Sequence, residues 1–184
     1  MTGAFLAGVL IGIGDIALMM VENKIVGAAL FSLALLSIIK LQIPLFTGRI
    51  GYVMERENPL ECILFLLTNS IGSFITVKLW GFSNPDGAEK IRAVADAKYA
   101  QSMFQLLMAG ILCGVLIHIA ITVKSDIVTV LCIMCFILSG FRHCIADAAF
   151  TYGFEYFAEW MVVVIGNSLG AIVTELLVSE RGRL

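Results

Sequence analysis

The sequence predicts an all-α membrane protein: six transmembrane helices, three plus three, with the second half inverted and the second and fifth spans broken. Three observations carry this. Mean hydropathy is +0.98 and only 14% of residues are charged, against about 25% in a soluble domain. The apolar residues gather into six runs, each near the roughly 20 residues a membrane helix needs. Two polar interruptions, Leu45-Phe46-Thr47-Gly48 and Gly140-Phe141-Arg142-His143, fall at matching places in the two halves.

The first run, near residues 3–21, follows Met1-Thr2-Gly3 with no basic stretch and no cleavage site, so it is read as a retained span rather than a signal peptide. Val21-Glu22-Asn23-Lys24 is too short for anything but a tight hairpin into the second run, 25–43. The third run covers 59–82. A polar stretch near 83–102 then carries the turn signal Asn84-Pro85-Asp86-Gly87 and divides the chain. The fourth and fifth runs, 103–123 and 127–150, are joined by Lys124-Ser125-Asp126, and the sixth occupies 157–178. The whole, 1–184, is expected to form one domain with halves of about 3–82 and 103–178.

The halves resemble one another. Ala7-Gly8-Val9-Leu10-Ile11-Gly12 opens the first and Ala109-Gly110-Ile111-Leu112-Cys113-Gly114 the second; Asn69-Ser70-Ile71-Gly72 and Asn167-Ser168-Leu169-Gly170 close them. An odd number of spans per half turns the second copy upside down. The Gly-xxx-Gly spacings let helix backbones approach closely in lipid. Positive charge does not decide orientation: with both termini inside, Arg49, Arg56, Lys124, Arg181 and Arg183 oppose Lys24, Lys78, Lys90, Arg92 and Lys98 outside, a tie.

Interrupted spans at corresponding places point to a site near the bilayer midplane, because non-helical backbone at that depth must be buried in protein or line a cavity. Pro44 removes a helix donor and disfavours helix at Ile43; that break taken alone reads equally as the end of a span and the start of a surface loop. In the fifth span, Arg142, His143 and Asp147 are ionisable groups inside an apolar run, each costing about 2.5–3.5 kcal/mol at a span centre. Two readings stand: groups lining a water path, or a structural Arg142–Asp147 tie beside a passive histidine. His118, alone in the fourth span, reads as a hydrogen-bonded packing residue. The five cysteines, including Cys132-x-x-Cys135, read as small buried hydrophobes. No metal-ligand cluster, nucleophile–base pair or phosphate loop is evident, so neither an enzyme nor a cofactor is expected, and no basic patch suggests nucleic acid.

Leu45-Phe46-Thr47-Gly48 and Gly140-Phe141-Arg142-His143-Cys144-Ile145-Ala146-Asp147 resemble the two signatures of the formate/nitrite transporter family, and Gly110-Ile111-Leu112-Cys113-Gly114 resembles its fourth span. The likeness runs from about Ala4 to Val178. It implies an aquaporin-like protomer in a homopentamer, one pore each, in the cytoplasmic membrane of a prokaryote with both termini cytoplasmic. The permeant class it implies is small monovalent anions or their conjugate acids: formate, nitrite, hydrosulfide, acetate, lactate. By the same resemblance His143 matches the central histidine, Thr47 the threonine facing it, and Lys98 the vestibule lysine that attracts anions. Phe31, Leu35 and Leu45 match narrowing positions on one side of the histidine, and Phe136 the other. Four features depart from the pattern. Gly114 stands for the family's Asn, Arg142 for an acidic residue and Asp147 for an Asn, and the gating amino-terminal helix is essentially absent.

A bare anion cannot cheaply cross two apolar constrictions. The expected mechanism therefore has Lys98 concentrate anions and His143, whose unperturbed pKa is about 6.5, exchange a proton with the weak acid. Arg142 either enters the pore or points to Asp147 or a neighbouring protomer. The alternatives are a pore for a small cation or neutral solute, and a non-transporting scaffold subunit.

Overall fold

The computed structural model describes residues 1–151 and 154–181; Arg183, counted above among the inside cations, lies outside them. The described residues are helical and contain no strand. In order they form α1 (Thr2–Met20), α2 (Lys24–Lys40), α3 (Phe46–Arg49), a 3₁₀ turn (Ile50–Tyr52), α4 (Pro59–Ser83) and α5 (Gly87–Tyr99). There follow α6 (Met103–Thr122), α7 (Asp126–Leu138), α8 (Cys144–Ala148) and α9 (Phe157–Arg181).

Four helices, α1, α4, α6 and α9, are long and apolar enough to cross a membrane. The runs at 25–43 and 127–150 do not fold as single helices: α2 stops at Lys40 and α7, only 13 residues long, at Leu138. At 1.5 Å per residue α7 covers about 20 Å of a hydrocarbon layer about 30 Å thick. Large apolar side chains such as Leu67, Leu79, Leu131 and Leu177 are exposed, as on helices whose outer faces meet lipid.

Local chemistry sets the ends. Asn23 caps α2 through the amides of Ile25 and Val26, Asn58 followed by Pro59 starts α4, and Ser102 and Gln105 form a reciprocal capping box on α6. The polar stretch between the halves is not irregular chain: Asp86 starts α5, which buries Ile91, Ala95 and Tyr99 against the bundle. Cys62, Cys113 and Cys144 are buried as expected, but Cys135 is exposed on α7, so the reading of every cysteine as a buried hydrophobe fails there.

α2 and α7 end by the same device. Gln42 (φ 54°) and Gly140 (φ 71°) adopt the left-handed conformation. Their amides donate to the carbonyls of Ile39 and Ile137, and the amides of Ile43 and Phe141 reach back to Ile38 and Phe136. This is the Schellman stop. The chain then runs extended for a few residues and re-enters the interior as α3, which buries Phe46 and Thr47, or as α8, which is buried throughout.

α1 packs on α4, α6 on α9, and α2 on α7. The first two pairs are very close: a Cβ on Gly8 would sit 2.0 Å from the Asn69 carbonyl oxygen, and one on Gly114 2.3 Å from that of Asn167. These contacts correct the landmark pairing read from sequence. Gly8 takes the place of Gly114 rather than Gly110, and Ala4 takes the place of Gly110. A small-residue pattern repeating every four positions matches itself equally well one turn out of register, so sequence alone could not choose.

Candidate functional site

Two buried asparagines hold the interrupted segments. The Asn69 carboxamide accepts from the amide of Phe46 at 2.8 Å and donates to the carbonyls of Ala4 (2.7 Å) and Pro44 (3.1 Å). The Asn167 carboxamide accepts from the amide of Cys144 at 2.9 Å and donates to Gly110 (2.9 Å) and Arg142 (2.7 Å). Each satisfies two backbone groups of the chain that follows the ended helix and ties that chain to a carbonyl of a continuous helix, Ala4 of α1 or Gly110 of α6.

Thr47 and His143, one from each segment, meet: Thr47 Oγ1 and His143 Nε2 are 3.0 Å apart and both residues are buried. His143 also caps α8, its Nδ1 accepting from the Ala146 amide at 3.3 Å. An Nδ1 that accepts carries no proton, so Nε2 bears the hydrogen and donates it to Thr47 Oγ1. The Thr47 hydroxyl hydrogen is then left for another acceptor. Phe136 lies along the imidazole, centroids 6.0 Å apart.

Two cavities lie on either side. One, of about 640 Å³, is bounded by Phe31, Phe136, Arg142 and His143, with Asp15, Lys24 and Lys98 around it. The other, of about 560 Å³, is bounded by Leu35, Leu45, Gly48, Tyr52 and Ile121. They open at opposite ends of α2, Lys24 lining the first and Ile39 the second. Leu35 and Leu45 thus lie together, while Phe31 lies with Phe136, their rings edge to face at 6.1 Å. Phe31 and Leu35 share a face of α2 but are one turn apart, about 6 Å along the axis, enough to place them toward different ends.

Asp147 gathers the charges. Lys98 Nζ donates to Oδ1 and Arg142 Nε to Oδ2, each at 2.7 Å, and Asp147 is fully buried. Arg142 Nη1 donates to the Lys98 carbonyl and, at 3.3 Å, to Gln101, and the Tyr99 hydroxyl donates to the Asp147 carbonyl at 2.8 Å. Of the two sequence readings of Arg142, the geometry is that of the tie to Asp147. The histidine beside it is hydrogen-bonded to Thr47. Lys98 is a paired cation, not a lone one.

His118 is hydrogen-bonded, as expected of it: Nε2 lies 2.6 Å from Glu175 Oε2 on α9, and neither lines the two cavities. Sequence reasoning passed over Asp15, Asn69 and Asn167 as functional residues. Asp15 had a signal: Gly14-Asp15-Ile16 places a carboxylate inside an apolar span, the same cost that singled out Arg142. The asparagines were visible only as repeat landmarks.

The model of the formate/nitrite transporter family matches residues 1–154. The chain belongs to the formate/nitrite transporter family. It is 26% identical over 148 residues to the formate channel FocA of Haemophilus influenzae, covering 68% of this chain and 52% of that protein. The chain thus spans about half the length of the curated relative it matches. Among solved structures it is similar to an FNT family ion channel (TM-score 0.82, 21% identity, 98% of this chain and 88% of the other). It is also similar to a pentameric formate channel with formate bound (TM-score 0.75, 21% identity, 98% and 93%). The family is one of transporters, which agrees with the expectation of transport rather than catalysis.

Proposed function

We propose that the chain forms a channel for small monovalent anions that cross as their conjugate weak acids, of the formate, nitrite, hydrosulfide or short-carboxylate class. The observation that carries this reading is the Thr47–His143 hydrogen bond, made between two interrupted segments and flanked by a cavity on either side. In this reading α2 with α3, and α7 with α8, are the second and fifth of six spans, the halves 3–82 and 103–178 are inverted copies, and five chains assemble with one path each. The pentameric formate channel it resembles in fold supports that assembly. The protein sits in the cytoplasmic membrane of a prokaryote with both termini inside.

The geometry refines how the path works. Phe31, Phe136, Leu35 and Leu45 make the passage apolar on both sides of the histidine, where a bare anion is costly and a neutral acid is not. Neutral His143 holds the Thr47 oxygen through Nε2–H, and the Thr47 hydroxyl donates to the permeant. Protonating His143 would put a hydrogen on Nδ1, against the Ala146 amide that it now accepts from. The histidine therefore serves as a neutral donor that orients Thr47, and the permeant's proton comes from elsewhere. Lys98 draws anions toward the cavity, its pull softened by Asp147.

The charge balance around Asp147 favours a second reading, a pore for a neutral solute. Uptake into proteoliposomes separates the two. His143→Phe and Thr47→Val should each lower formate or nitrite uptake at least tenfold while leaving the assembly intact by size-exclusion chromatography. Unchanged uptake in His143→Phe removes the histidine from the path. Uptake of neutral solutes but no weak acid by the parent chain favours the second reading.

A further inference from the structure

The cavity beside His143 contains an ionisable group that this path does not use. Asp15 lines that cavity together with Lys98 and Arg142, is 3% exposed, and its Oδ2 has no hydrogen-bond partner in the protein. Burying a carboxylate unpaired is costly. Packing does not demand it. By the asparagine contacts, the α1 segment of Ala4 and Gly8 takes the place of the α6 segment of Gly110 and Gly114, which sets Asp15 in the place of Ile121. Ile121 lines the other cavity. The same position in the fold faces a cavity in both halves, and an isoleucine suffices in one.

The charges around Asp15 can be counted. Lining the cavity with it are Lys98 from α5, Arg142 and His143 from the segment before α8, and the exposed Lys24 of α2 at the mouth, while Asp147 of α8 is paired to Lys98 and Arg142; no ionisable group of α4 lines this cavity among the described residues. Inside the cavity, apart from Lys24 at its mouth, Lys98, Arg142 and Asp147 together leave one net positive charge. Ionised Asp15 cancels it, and protonated Asp15 leaves it for an anion. Arg142 Nη2 is a second buried polar atom of this wall without a protein partner, a donor for the anion's oxygen.

We propose that Asp15 is a proton-binding site coupled to the arrival of a small carboxylate or oxyanion in this cavity. The proton raises anion affinity and, by linkage, the anion raises proton affinity by the same factor. Asp15 then supplies the proton that His143 does not. Its O–H bond breaks, the proton bonds to the permeant's oxygen, the neutral acid passes the apolar constriction, and Asp15 is left as the carboxylate to be reprotonated from the cavity side. This inference rests on the weak-acid reading above.

Formate-induced infrared difference spectra of the full chain in lipid at neutral pH test it, with isotope-labelled formate to separate the ligand's own bands. The parent chain should gain a protonated-carboxyl C=O band, Asp15→Asn should lose it, and Asp15→Glu should restore it at a shifted position. Absence of the band in the parent chain, or its persistence in Asp15→Asn, overturns the proposal. Should Asp15→Asn fail to assemble, an unshifted band in Asp15→Glu overturns it equally. Formate uptake by the parent chain without the band removes the coupling and leaves the channel reading standing. No uptake of any weak acid removes both.

Discussion

The two interrupted segments share a backbone and differ in charge. Each follows a left-handed cap at Gln42 or Gly140, each returns inward as a short helix, and each is held by one buried asparagine. The first then offers Thr47 and turns its only charge, Arg49, toward Glu57 in a half-exposed pair at 2.7 Å. The second buries Arg142, His143 and Asp147 and recruits Lys98. Arg49 and Asp147 hold the same place, three residues after Phe46 and Cys144. Caps and carboxamides are common to both places, whereas charge is buried at the second alone.

Removing the charge at that shared place breaks the comparison most sharply. Asp147→Ala strands Lys98 and Arg142, and an uncompensated buried charge costs about 3–5 kcal/mol. Arg49→Ala removes a half-exposed pair, whose worth lies nearer the about 0–1 kcal/mol of a surface pair. Thermal unfolding in detergent should place Asp147→Ala far below the parent chain and Arg49→Ala beside it. Equal losses would mean that both charges serve the fold.

Much of this was legible in the sequence. Hydropathy and the matched interruptions gave the helical membrane class, and the cost of ionisable groups in a span drew attention to Arg142, His143 and Asp147. The stop at Lys40 was not legible, because it depends on Gln42 taking a conformation usually left to glycine. Nor was the register of α1 against α6, since a four-residue glycine period does not fix it. Asp15 was legible and passed over, because a single carboxylate has no motif around it.

The asparagines test the half of the comparison that is shared. Asn167→Ala leaves the Cys144 amide and the Arg142 and Gly110 carbonyls without their partner, and Asn69→Ala does the same to Phe46, Pro44 and Ala4. Each buried group left unsatisfied costs about 1–3 kcal/mol, partly recovered if water enters, so each variant should lose about 3 kcal/mol. The loss should be larger for Asn167, whose release also loosens the charges on Asp147. Unfolding midpoints of the two variants compare them directly, and a larger loss in Asn69→Ala would reverse the assignment of the second segment as the more constrained.

The smallest effect lies outside the spans, where charge is exposed. Arg92 on α5 donates to both oxygens of Glu155 at 2.7 and 2.8 Å. Those bonds hold the Glu155 carboxyl below its ordinary range, while the Tyr156 hydroxyl and then Arg92 do the same for Asp96. A carboxylate whose pKa is depressed by folding contributes stability above its unfolded pKa, about 4; that contribution fades as pH falls through the folded value. Exposure and salt screening keep it small. Arg92→Ala should therefore melt slightly below the parent chain at neutral pH, with the gap closing as pH falls below about 4 and narrowing with added salt. A gap that persists in acid would locate the role of Arg92 in its packing over Tyr156 instead. Exposed pairs on α5 would then differ from the buried pairs on Asp147 in kind, and not only in degree of burial.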